Sequence, residues 1–101
     1  MLKKMYIFPA VVTKFAEDDY NVRFPDIPEI HTFGSTLEEA YEMAEDALKL
    51  HIFDLYNDGI DIPLMKPFFA LGLNKLEENQ ILIMIKADFN KFAAAELQMA
   101  E

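Results

Sequence analysis

The sequence predicts an α+β fold in which one long helix packs across a mainly antiparallel sheet, in the order β-β-β-α-β with a short C-terminal helix. Three observations lead there. Strand signals stand in the first quarter and again at 81–85, apolar side chains recur at three- and four-residue intervals from 37 to 56, and the 101 residues suit one packed core. With 52% hydrophobic residues but only three Gly and five Pro, the composition is that of a globule and predicts a single domain.

Residues 5–15 are apolar on both parities, with Ile7, Val11 and Phe15 on one face and Tyr6, Phe8, Ala10 and Val12 on the other. A strand apolar on both faces is central in its sheet, or meets another subunit. The basic start Met-Leu-Lys-Lys and the run behind it resemble a signal peptide, but Pro9, Thr13 and Lys14 interrupt the run and no small-residue cleavage site follows. A strand is the better reading. The polar residues Ala16, Glu17, Asp18 and Asp19 predict a turn of four or five residues, after which Tyr20, Val22 and Phe24 alternate with Asn21 and Arg23 as a half-buried second strand.

Pro25 and Pro28 remove two backbone donors and end that strand, leaving residues 30–33 for a short third one. Ser35 or Thr36 caps the next helix, since each has a glutamate three positions on, Glu38 or Glu39. Leu37, Ala40, Tyr41, Ala44, Ala47, Leu48, His51, Leu55 and Tyr56 form its expected inner face, opposite Glu38, Glu39, Glu42, Glu45, Asp46 and Lys49. Asn57-Asp58-Gly59 terminates it, with Gly59 free to turn left-handed. Residues 61–78 hold Pro63 and Pro67 among apolar side chains and predict an irregular segment packed on the sheet or covered by another chain. Residues 81–85 predict the fourth strand, and the Ala-rich stretch 89–101 the short last helix.

The net charge is −9, and residues 16–62 hold thirteen acidic against two basic residues. Such a block repels phosphate backbones, so a basic protein partner is expected and direct nucleic-acid binding is not. An acidic block that only solvates the fold is the plainer alternative. Cysteine is absent, which excludes disulfides, thiolate metal sites and cysteine nucleophiles. Nothing calls for an oxidising compartment or a membrane, and the cytoplasm is the expected location.

Catalytic readings fare poorly. The strand order is similar to a trimmed ribonuclease H fold, whose two-metal chemistry needs an Asp in the first strand, a Glu on the helix and an Asp ending the fourth strand. Asp88 and Glu38 or Glu42 could supply two ligands, but residues 5–15 hold no acid. His31 and His51 lie twenty positions apart without ligand spacing, and the capping role accounts for Ser35. The glycines, Gly34, Gly59 and Gly72, form no phosphate loop. No catalytic residue, metal or cofactor is expected, and the chain is not expected to be an enzyme. Met43, Met65, Met84 and Met99 read as core filling before they read as a binding surface.

Four ordered motifs resemble one known family. Tyr20-Asn21-Val22-Arg23-Phe24-Pro25-Asp26-Ile27-Pro28-Glu29 is similar to its aromatic strand followed by Phe-Pro-Asp-Leu-Pro-Gly, and Gly34-Ser35-Thr36-Leu37-Glu38-Glu39-Ala40 to its Gly-Asp-Thr-Leu-Glu-Glu-Ala helix start. Asp58-Gly59-Ile60-Asp61-Ile62-Pro63 resembles the segment after its helix, and residues 83–92 its last strand and ending. The family is the HicB-like antitoxins of type II toxin-antitoxin systems. The resemblance, which covers residues 4–92, implies a partial ribonuclease H-like fold without nuclease activity that binds and inhibits a small HicA-like messenger-RNA-cleaving toxin. Glu29 stands where the family usually has Gly, which predicts a changed loop or an extra contact. Many members append a DNA-binding segment, whereas the nine residues after Phe92 hold no Lys or Arg, so DNA binding and autorepression are not expected of this chain.

The candidate contacts to a basic toxin are Asp26, Glu29, Glu38, Glu39, Glu42 and Glu45. Homo-oligomers, dimeric or tetrameric, are expected from the two-sided apolar strands. A stand-alone homo-oligomeric structural or regulatory module with no toxin partner is the alternative function.

Overall fold

The computed structural model describes residues 2–66 and 75–89. Strands β1 (Met5–Ala16), β2 (Asp19–Arg23) and β3 (His31–Gly34) are followed by helix α1 (Leu37–Asn57) and strand β4 (Gln80–Asp88). They form one four-stranded sheet in the order β3-β2-β1-β4, with all three pairings antiparallel. β1 is therefore central, as its two apolar faces predict. The expected C-terminal helix and Met99 lie outside the described residues.

Facing positions share a side of the sheet, so the register separates its two faces. Phe8, Ala10 and Val12 of β1, Val22 of β2 and Ile85 and Ala87 of β4 point to the helix side, where they meet Ala40, Ala44, Leu48 and Ile52 of α1 in the main core. Phe24, Ile27, Ile30 and Phe89 close its ends. The helix thus buries an i, i+4 stripe centred on its alanines, not the broader face expected from the sequence. Ile52 joins the core, while Leu37 and Tyr56 are exposed and Tyr41, Ala47, His51 and Leu55 are half-buried. The reason is proximity: small side chains on α1 let its backbone settle on β3 at Gly34, and that contact fixes the roll of the helix.

The β1–β2 connection is also tighter than expected. Ala16 pairs with Asp19, so Glu17 and Asp18 alone form the turn, and the register slips between Lys14 and Ala16, where Phe15 is the extra residue. Neither turn residue has positive φ. A two-residue turn without left-handed residues mismatches the strand twist, and a bulge beside it restores the match by adding local twist. Lys14 spans the corner, 3.5 Å from Glu17 Oε2 and over the Tyr20 ring at 5.6 Å.

After β2 the chain makes two successive turns. Ile27 N–H donates to Phe24 C=O and Ile30 N–H to Ile27 C=O, both at 3.0 Å, with Pro25 and Pro28 each at the position where a fixed φ favours the turn. Glu29 follows Pro28 without positive φ, so this second turn does not need the glycine the family usually places there.

Thr36 is the N-cap of α1: its Oγ1 accepts from Glu39 N–H at 3.0 Å, while Glu39 Oε1 accepts from Ser35 N–H at 2.9 Å. The reciprocal box predicted at 35–36 forms, reaching back one residue beyond the cap. At the other end Gly59 has φ 70°, Ile60 N–H donates to Leu55 C=O and Gly59 N–H to Tyr56 C=O, the paired bonds of a left-handed helix stop. Between α1 and β4, residues 61–66 and 75–79 form no helix or strand, and residues 67–74 of the segment expected to be irregular lie outside the described residues. Lys66 N–H is held by Asp26 at one end, and Asn79 bonds Lys14 at the other through its C=O and its Nδ2. Beyond β4, Phe89 N–H donates to Lys4 C=O at 2.7 Å and its ring meets Tyr6 edge-on at 5.9 Å.

Candidate functional site

The expected contact residues separate into two groups. Asp26, Glu29 and Glu39 are engaged within the fold. Asp26 accepts Lys66 N–H with both carboxylate oxygens at 3.3 and 3.4 Å, Glu29 Oε2 stands 3.5 Å from His51 Nε2, and Glu39 closes the cap. The Glu29 to His51 approach is the extra contact that the departure from Gly allowed. Glu38, Glu42 and Glu45 have no side-chain partner among the described residues, and with Asp46 they surround the outer side of α1.

Two large apolar side chains interrupt this acidic surface. Met43 is 48% exposed and Leu50 56% exposed, seven residues apart and so about two helical turns along one side. The sequence reading passed over Leu50 and took Met43 as core filling. Their place outside the Ala40–Ala44–Leu48–Ile52 stripe was available from the period-3.6 arithmetic once the centre of that stripe was known.

The opposite face of the sheet carries no helix among the described residues. Cross-strand register gathers Thr13, Asn21 and Phe33 in one row and Val11, Arg23 and His31 in the next. A concavity of about 440 Å³ is lined there by Thr13, Phe15, Asn21, Arg23, His31, Glu77, Asn79 and Gln80. Asp19 Oδ1 accepts from Asn21 Nδ2 at 3.1 Å, which turns Asn21 Oδ1 toward His31 Nε2 at 3.0 Å and makes that nitrogen the donor. His31 also lies against Phe33, ring centroids 4.8 Å apart. The Arg23 guanidinium has no partner among the described residues. Sequence reading missed this cluster; its signal was the alternation of Asp19, Asn21 and Arg23 on one side of β2.

The Glu17 carboxylate, and secondarily Tyr20, hold the Lys14 ammonium pKa above the ordinary 10.5. Among the described residues no three His, Asp or Glu side chains gather as metal ligands, and β1 holds no acid. No described helix is long and apolar enough to cross a membrane.

One helix laid on one face of a four-stranded antiparallel sheet defines a small α+β domain. The chain belongs to the HicB-like antitoxin family: the family described as "HicB_like antitoxin of bacterial toxin-antitoxin system" matches residues 8–99. Antitoxin HicB 1 of Photorhabdus laumondii is 48% identical over 61 residues, which is 59% of this chain and 39% of that protein, so the match spans well under half of the relative. The fold is similar to the N-terminal domain of antitoxin HicB from Burkholderia pseudomallei, with TM-score 0.69 and 25% identity over 82% of this chain and 99% of that one. A solved HicA3 and HicB3 toxin-antitoxin complex contains a similar chain, with TM-score 0.62, 29% identity and the same coverages.

Proposed function

We propose that the chain acts as an antitoxin, binding a small basic HicA-like mRNA-cleaving toxin and masking its RNA-binding or catalytic surface, without catalysis of its own and in the cytoplasm. The observation that carries this reading is the outer side of α1, which carries Glu38, Glu42, Glu45 and Asp46 and, beside them, exposed Met43 and Leu50. A protein that grips RNA needs cationic groups for the phosphates, and an acidic surface competes for the same groups. The carboxylates steer encounter, while Met43 and Leu50 supply the apolar area that gives an interface its lasting affinity. The solved complex of a similar chain with a HicA toxin supports the pairing.

The test is a titration of the purified chain into a HicA-like toxin from its own operon, cleaving a messenger RNA. Inhibition should become complete at a fixed stoichiometric ratio. A chain that neither binds nor inhibits that toxin contradicts the reading.

A further inference from the structure

With no Cys and no Trp in the chain, peroxide chemistry falls on its six methionines. Met65 and Met84, read like Met43 as core filling, do not fill the core. Met5 is 41% exposed, Met43 48%, Met65 49% and Met84 37%, and the core cluster of described residues holds no methionine. A sulfoxide formed inside a core disrupts packing, whereas one formed at the surface alters the surface alone. The described core therefore keeps its packing when these four methionines are oxidised.

Met43 is the one methionine of α1. Asp46 lies three residues after it and four before Leu50, which puts all three on one side of the helix. Carboxylates there repel anionic oxidants but admit a small uncharged peroxide. In the reaction a lone pair of Met43 Sδ takes one oxygen of hydrogen peroxide: the O–O bond breaks, an S–O bond forms, the sulfur is oxidised by two electrons, and the other oxygen leaves with both protons as water. The apolar thioether becomes a polar sulfoxide. Burying its oxygen against an apolar partner surface strands a hydrogen-bond acceptor without a donor, which weakens the contact.

We propose that Met43 is an oxidative modification site that loosens the grip of α1 on its partner: peroxide converts its thioether to the sulfoxide, and the chain stays folded but loses affinity for a basic toxin. The proposal rests on the antitoxin reading above, which places Met43 in the contact.

The test is to treat the chain with hydrogen peroxide, remove the peroxide with catalase, confirm conversion of Met43 by peptide mass spectrometry, and titrate the product into the HicA-like toxin. Affinity should fall about tenfold or more, the loss expected when an interface anchor is spoiled. The urea midpoint should stay where it was, and methionine sulfoxide reductases should restore binding. Met43→Leu keeps an apolar side chain without the sulfur, so peroxide treatment should leave its affinity unchanged. Toxin bound beforehand should shield Met43 from oxidation. Undiminished affinity with Met43 converted, an equal loss in the treated M43L chain, unfolding on oxidation, or equal conversion in the free and bound chains overturns the proposal while the antitoxin reading stands. Failure of the untreated chain to bind contradicts that reading and the proposal together.

Discussion

Gly34, the last residue of β3, lies directly against Ala40 in the first turn of α1: a Cβ built on Gly34 would stand 2.6 Å from Ala40 Cα and 2.9 Å from its Cβ. The atoms in the way are mostly helix backbone, which cannot rotate aside. Gly34→Ala should therefore push α1 off the sheet and cost about 3 kcal/mol, an overpacking penalty at the high end. Urea unfolding reads this directly, and a loss below about 1 kcal/mol would mean the helix start yields freely.

The cap supplies a second stability test. Thr36→Ala removes the acceptor for Glu39 N–H and should cost about 1 kcal/mol, whereas Thr36→Ser should be nearly neutral. Because Glu39 also holds Ser35 N–H, Glu39→Gln keeps an acceptor there and should preserve stability better than Glu39→Ala. Equal losses for Gln and Ala would show that the carboxylate acts through charge alone.

Thr32 sits on the helix side of β3 with its hydroxyl buried and without a hydrogen-bond partner. Thr32→Val replaces that hydroxyl with a methyl of similar shape. Stability should stay level or rise by about 1 kcal/mol, as removing an unsatisfied buried polar group predicts. A clear loss would reveal a partner for the hydroxyl in solution.

Lys14 offers a test of the hairpin. Its ammonium pKa is raised first by Glu17, so Glu17→Gln should lower the Lys14 value measured by NMR toward 10.5. The sign is that of a cation gaining a partner: its contribution is complete at neutral pH and fades as pH rises through the raised pKa. An unchanged Lys14 titration would place the carboxylate elsewhere.

Much of this was legible from the sequence, and what was not has physical causes. The order of elements along the chain, the cap at 35–36 and the stop at Gly59 follow from local chemistry, since each element is signalled by residues a few positions apart. The roll of α1 was misjudged because Leu37 and Tyr56 satisfy the apolar period as well as Ile52 does, and only the Gly34–Ala40 approach decides between them. The bulge at Phe15 was hidden because register is a property of a strand pair. The candidate site shows the same division. Carboxylates are readable as residue types, but that Asp26 is tied to Lys66, forty positions away, and Glu29 to His51 follows from long-range packing. Arg23 and His31, eight residues apart on neighbouring strands, came together only through the β2–β3 register.

The charge of α1 can be tested kinetically. Reversing Glu42 and Glu45 to Lys should slow association with a basic toxin about tenfold at low ionic strength, with the difference shrinking as salt screens it. Met43→Ala and Leu50→Ala should instead speed dissociation, because apolar anchors act mainly on the lifetime of a complex. Equal association rates for the charge-reversed and native chains would remove Glu42 and Glu45 from the contact.

The most direct measurement is amide hydrogen exchange of the chain, free and saturated with its HicA-like toxin, together with side-chain methyl shifts at Met43 and Leu50. Masking by the acidic helix predicts slowed exchange along α1 and shifted Met43 and Leu50 methyls, with Arg23 and His31 on the sheet face away from α1 unaffected. Toxin-induced protection confined to β2 and β3, with α1 and both methyls unchanged, would contradict the account.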